Sequence, residues 1–162
     1  MEKLYLLRHA KSSWDNPVLR DYDRPLNDRG KRQATAMGRF FQEKAFKIDG
    51  VLCSGAARTR ETLDLLLEFY DYQGEIEYSD EIYASSVFVL KRIVLQAKCD
   101  FLLLIGHNPE IENLAGDLTG LDLIMPTCQL AVIDMKQRKL EIFTRPEKPE
   151  MQLTKPKIRK RE

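Results

Sequence analysis

Two histidines are all that this 162-residue chain has, and both stand where an apolar run ends beside groups suited to an anion. His9 closes the run Leu4-Tyr5-Leu6-Leu7-Arg8-His9, and His107 follows Phe101-Leu102-Leu103-Leu104-Ile105-Gly106. A third run, from Ile48 to Cys53, leads into Ser54-Gly55-Ala56-Ala57-Arg58-Thr59-Arg60-Glu61-Thr62. Imidazole can serve as nucleophile or base near neutral pH, and a guanidinium forks onto phosphate oxygens. The N–H groups at a helix start point at anions. Arg8, Arg58, His9, His107 and those N–H groups therefore make a site suited to the oxygens of a phosphoryl group. Taken singly, each residue has a plainer reading, the histidines as hydrogen-bonded packing groups and the arginines as surface cations. The coincidence of both histidines at the same kind of position, with arginines nearby, favours chemistry.

These groups are far apart in sequence, so something must bring them together. Strand-like and helix-like segments alternate along the chain. Lys3 to Leu7, Ile48 to Cys53, Glu75 to Tyr78 and Phe101 to Ile105 read as strands. Helices are expected from Asn27 or Asp28 to about Lys44, over Thr59 to Tyr70, over Val87 to Ala97, and from Pro109 to Leu118. Apolar inward faces are expected from Ala34, Met37, Phe40 and Phe41 in the first helix, and Leu63, Leu66 and Leu67 in the second. In the third they come from Phe88, Ile93, Val94 and Ala97. Leu130 to Met135 and Lys139 to Phe143 read as a hairpin around Lys136-Gln137-Arg138. Such alternation predicts an α/β fold, a largely parallel sheet covered on both faces. Residues just past the carboxyl ends of its strands then share one edge, where open α/β sheets bind ligands. The polar stretch holding Trp14, Pro17 and Pro25 is a long loop of the kind that carries function.

The length fits one domain with its own core. Apolar residues make up 43% and charged residues 31%, the balance of a soluble globular protein. A formal net charge of +1 supplies no field toward nucleic acid or an anionic membrane, so neither is an expected partner. The apolar runs fall well short of the ~20 residues of a membrane span. The first strand begins almost at the first residue, leaving no room for a signal peptide. Three scattered cysteines, Cys53, Cys99 and Cys128, read as reduced thiols, and the expected location is cytoplasmic. After Arg145 the composition turns to proline, lysine and arginine, so residues 146–162 are read as a solvated basic tail, or else as a tether to an acidic partner or RNA.

Four segments in order resemble the histidine phosphatase superfamily, also called phosphoglycerate mutase-like. These are Arg8-His9, then Asp23-Arg24-Pro25-Leu26-Asn27-Asp28-Arg29-Gly30, then Cys53-Ser54 through Arg58 to Glu61-Thr62, then Ile105-Gly106-His107-Asn108-Pro109. The last segment resembles the form found in the small SixA-type phosphohistidine phosphatases. The resemblance spans residues 1–145 and implies a three-layer α/β/α sandwich around a mostly parallel sheet. It implies His9 as the nucleophile of a covalent phosphohistidine intermediate, attacking as neutral imidazole. Nearby cations should favour that neutral form. Arg8, Arg58 and His107 would hold the phosphoryl oxygens. Arg24 is a further candidate contact or a surface cation, and Asn108 and Ser54 would support from behind. No cofactor and no metal are implied. Larger relatives carry a carboxylate that protonates the leaving group, and Asp80 and Glu81 are the candidates for that position. A weak acid would suit phosphohistidine, whose imidazole departs more readily than an alkoxide. The short span from Glu61 to Ile105 leaves an open site, as a phosphorylated protein side chain would need. A small phosphate substrate is the alternative.

Rival chemistries fit less well. A cysteine phosphatase loop fails on spacing, because Arg58 is one residue too close to Cys53 and Arg60 one too far. Two histidines without clustered thiols or carboxylates supply no metal ligand set. A two-histidine nuclease is weakened by the near-neutral charge. A phosphate-recognition module without turnover remains the non-enzymatic alternative, though binding alone needs no nucleophile at His9.

Overall fold

The computed structural model describes residues 1–147, 150–153 and 158–159. The alternation expected from sequence is realised as β1 (Lys3–Arg8), α1 (Asp28–Lys44), β2 (Gly50–Cys53), α2 (Ala57–Leu67), β3 (Ile76–Tyr78), α3 (Val87–Gln96), β4 (Phe101–Gly106) and α4 (Glu110–Thr119). The chain then adds β5 (Leu130–Asp134), β6 (Lys139–Glu147) and β7 (Glu150–Leu153). One seven-stranded sheet results, in the order β3-β2-β4-β1-β5-β6-β7. Its β3-β2-β4-β1 half is parallel, while β5, β6 and β7 pair antiparallel, so the sheet is mixed.

Alternation along β1 assigns the layers. Tyr5 and Leu7 pack with Ala34, Met37 and Phe41 of α1 and with Leu63 and Leu66 of α2. Leu4 and Leu6 face Leu90 and Val94 of α3 and Ile111, Leu114 and Leu118 of α4. Helices on both faces explain why β1 and β4 are near-continuous apolar runs rather than alternating ones. The result is the three-layer α/β/α sandwich. In α3 the inward residues are Leu90 and Val94, while Phe88 is 80% exposed. Phe88, expected on the inner face from composition, is rotated away from Leu90 and Val94 by the 3.6-residue period. No helix among the described residues is long and apolar enough to cross a membrane.

The boundary expected at Arg145 falls inside β6, and β7 pairs with it, Thr144 opposite Leu153. Glu150-Met151-Gln152-Leu153 alternates polar and apolar residues, a strand pattern that the surrounding lysines and prolines hide. Farther on, Ile158 bridges to Leu123, the Arg159 amide donates to the Asp122 carbonyl, and the Arg159 side chain pairs with Glu112. These parts of the segment are therefore not a free tail. The remainder of the basic segment lies outside the described residues.

Candidate active site

Strand register aligns the three expected segments. Arg8 lies opposite Gly106 and Cys53 opposite Ile105. Each strand's pairing continues one residue further: the His9 amide donates to the Gly106 carbonyl at 3.1 Å, and the Ser54 amide to the Ile105 carbonyl at 3.1 Å. His9, Ser54 and His107 consequently leave the sheet side by side at the carboxyl edge of β1, β2 and β4. The two imidazole centroids are 5.3 Å apart, and each residue is 6% exposed.

His9 is held in one tautomer. Its Nδ1 lies 2.7 Å from the Ala10 carbonyl, which can only accept, so Nδ1 carries the proton. Nε2 is left with its lone pair, and the Nε–H of Arg58 points at it from 3.3 Å. Burial, followed by the charges of His107, Arg58 and Arg8, pushes the His9 pKa down to about 3, against the pull of the Ala10 hydrogen bond. The ring is neutral at physiological pH. His107 is also pushed down to about 3, by burial first and then by Arg58 and Arg8, with Asp21 opposing. Its Nε2 is 2.7 Å from Ser54 Oγ, which also accepts the Ala56 amide at 3.3 Å. The Ser54 hydroxyl can donate to His107 Nε2, and in that arrangement the imidazole proton sits on Nδ1. That Nδ1 is buried without a partner.

The arginines converge on the same space. Arg8 donates from Nη1 to the Met125 carbonyl at 3.1 Å, while its Nε is buried and unpartnered. Arg58 is 6% exposed, and its two terminal nitrogens reach Asp21, at 2.7 Å to the carbonyl and 3.0 Å to Oδ2. Arg24 is not a surface cation: it is 7% exposed, bonded to Asp21 Oδ1 at 3.1 Å and Ser12 Oγ at 3.0 Å, with the Trp14 ring 3.5 Å from its carbon. Its contacts hold Asp21 and through it Arg58, one step behind the histidines.

A model of the histidine phosphatase superfamily (branch 1) matches residues 4–83. A protein of Agrobacterium tumefaciens assigned as the phosphohistidine phosphatase SixA has a crystal structure that superimposes with a TM-score of 0.80. It is 33% identical, over 88% of this chain and 97% of that one. This chain belongs to the histidine phosphatase superfamily. An uncharacterized protein of Mycobacterium leprae is 31% identical over 147 residues, covering 82% of this chain and 89% of its own length. An uncharacterized chloroplastic protein of Arabidopsis thaliana is 30% identical over 142 residues; the match takes in 81% of this chain but 65% of the plant protein.

In this histidine phosphatase superfamily member, the side chains of the remaining expected residues bond to groups other than the histidines. Asn108 spends its amide on Met125 O at 2.8 Å and Glu112 Oε2 at 3.2 Å. It thereby ties the turn after β4 to the carbonyl that holds Arg8. Asp80 accepts the Tyr22 hydroxyl at 2.6 Å, and Glu81 pairs with Arg92. Both acids are exposed, and neither bonds to His9, His107, Arg8 or Arg58.

Four residues were missed by reading the sequence. Asp21, in the 3-10 turn Asp21–Asp23, takes Arg58, Arg24 and the Tyr83 hydroxyl, the last at 2.8 Å. Burial raises its pKa, but the Tyr83 and Arg58 hydrogen bonds and the two arginine charges win and hold it at about 2. Tyr83 stands edge-on to His107, centroids 5.4 Å apart. Gln129, whose carbonyl accepts the Arg8 amide just before β5, and Arg145 of β6 each keep a buried side-chain nitrogen without a partner. Burial lowers the Arg8 pKa, and Arg145 and Arg58 lower it further, against the pull of Glu112. The long loop before α1 was the only signal for Asp21, and none pointed to Arg145, because β6 reaches β1 only through β5.

Proposed function

We propose that this protein is a phosphatase that transfers a phosphoryl group to His9 Nε2 and then to water, with phosphohistidine in a protein as its substrate. The observation that carries the reading is the pairing of a neutral, tautomer-locked His9 with two buried nitrogens lacking partners, Arg8 Nε and His107 Nδ1. An unpartnered buried donor costs about 1–3 kcal/mol. A phosphoryl group bonded to both recovers that cost, and gains most when negative charge builds in the transition state. Arg58 completes the cradle, while Arg24 and Asn108 position it from behind.

In the step itself, the lone pair of His9 Nε2 attacks phosphorus as the bond to the departing atom breaks in line. Water then cleaves the N–P bond, releasing inorganic phosphate and neutral His9. The site supplies strong charge stabilisation but weak acid catalysis, because Asp80 and Glu81 are engaged elsewhere and Asp21 is ionised. That imbalance suits imidazole as leaving group and disfavours alkoxides. Small activated phosphates share the same demands and are the alternative substrates.

The test is a hydrolysis panel of phosphohistidine peptide, phosphotyrosine peptide and p-nitrophenyl phosphate, with His9→Ala as control. Phosphohistidine should turn over best, acid-labile radioactive phosphate should be trapped on the wild-type protein, and His9→Ala should do neither. Full activity in His9→Ala refutes the nucleophile, and binding of phosphate without turnover would make the protein a recognition module.

A further inference from the structure

An aromatic series runs outward from the nucleophile. The His9 and His107 centroids are 5.3 Å apart, His107 and Tyr83 5.4 Å, and Tyr83 and Tyr22 5.0 Å, the last two contacts edge to face. His9 and His107 are buried, whereas Tyr83 and Tyr22 are half-buried at the rim. Both tyrosines are fixed by their hydroxyls, Tyr83 on Asp21 at 2.8 Å and Tyr22 on Asp80 at 2.6 Å. The Arg58 carbon stands 5.9 Å over the Tyr83 ring, so the wall adjoins the guanidinium of the proposed phosphoryl cradle.

Gly55 makes room for this arrangement. A Cβ there would come within 2.3 Å of both the Tyr22 hydroxyl and Asp80 Oδ1. The Tyr22–Asp80 pair thus lies across the turn between Ser54 and α2, directly above the groups that bond His107.

In an in-line displacement the attacking and departing atoms lie on opposite sides of phosphorus. With His9 at the floor, the departing group faces outward, along the rim. We infer that Tyr83 and Tyr22 form the leaving-group wall of this site and select substrates whose phosphoryl group is carried on a flat ring, N-phosphorylated imidazole above all. The inference rests on the phosphatase reading and adds the determinant of its substrate class. A ring edge or face packs against the two tyrosines as they pack against each other. A compact leaving group such as ammonia or acetate reaches neither. The atoms balance in the ordinary way: the substrate P–N bond breaks as the His9–P bond forms, and the departing imidazole nitrogen takes its proton from solvent. Asp80 and Asp21 thereby act as props for the wall rather than as proton donors.

The experiment compares kcat/KM for phosphoimidazole with that for phosphoramidate, which has the same P–N bond and no ring. A second comparison sets p-nitrophenyl phosphate against acetyl phosphate. The ring-to-no-ring ratio should fall about threefold to tenfold in Tyr22→Leu, the scale of one aromatic pair. Tyr22→Phe should restore most of it. Gly55→Ala, which displaces the tyrosine without altering it, should lower the ratio likewise, and it carries the test alone if Tyr22→Leu does not fold. An unchanged ratio in both variants, or Phe no better than Leu, overturns the wall. A wild type that labels His9 and hydrolyses all four compounds without favouring rings would sink this inference and leave the phosphatase reading standing. A wild type that hydrolyses none would sink that reading instead.

Discussion

Replacing Ser54 by alanine tests whether His107 works through a fixed tautomer. Ser54 is fully buried, and its hydroxyl is 2.7 Å from His107 Nε2 while accepting the Ala56 amide. Ser54→Ala leaves a buried imidazole nitrogen and an amide without partners, at about 1–3 kcal/mol each. At about 2–4 °C per kcal/mol for a chain of this length, Tm should drop by roughly 4–24 °C. Catalysis suffers separately. An oriented donor on a transferring oxygen is worth about 10²–10³ in rate. Ser54→Ala keeps the donor but frees its tautomer and angle, so phosphorylation of His9 should slow by about 10–100-fold. Single-turnover kinetics with p-nitrophenyl phosphate, following nitrophenol release and acid-labile label together, reads that step directly. The decisive comparison is a double-mutant cycle with His107→Ala. If Ser54 acts through His107, removing it from His107→Ala should slow the reaction by no more than about twofold. A loss of the same 10–100-fold in both backgrounds would refute the tautomer argument.

Other outcomes follow from the same geometry. His9 and His107 take up protons near pH 3 when folded but near 6.5 when unfolded, so between those values the unfolded chain binds more protons. Stability is therefore complete above about pH 6.5 and declines as pH falls toward 3; Tm against pH should show it, and a His107→Gln variant should flatten the decline. Cys53 is fully buried and burial pushes its thiol up to about 12, so iodoacetamide at neutral pH should leave turnover intact. Rapid inactivation with label on Cys53 would revive a thiol mechanism. Gly30→Ala places a Cβ 2.0 Å from the Lys11 carbonyl, two residues past His9. It should cost about 1–3 kcal/mol in urea unfolding and lower turnover as the His9 strand exit shifts. Arg58→Lys should keep the charge but lose the contact to His9 Nε2 and the paired bonds to Asp21, lowering kcat by about 10²–10³.

Reading the residues in order was enough for the α/β architecture, for both histidines at strand ends and for Arg8 and Arg58 beside them. Those features are local: apolar runs mark strands covered on both faces, and a strand end is visible where the run stops. The Gly30 motif was legible too, although its reason was not. A Cβ there would collide with the Lys11 backbone, which becomes a neighbour only when α1 docks.

Tertiary structure decided everything that depends on which side chains meet. Asp80 and Glu81 had the residue type of a proton donor, but the fold turns one to Tyr22 and the other to Arg92. Asp21 had no distinguishing mark among the acids of its loop, and it became the junction of Arg58, Arg24 and Tyr83. Asn108 lay inside a recognised motif, and it is the fold that turns its amide nitrogen to the Met125 carbonyl and Glu112. The period of an apolar run is written in the chain itself, but hydrogen bonds between distant loops depend on register and loop path, which exist only once the sheet has formed.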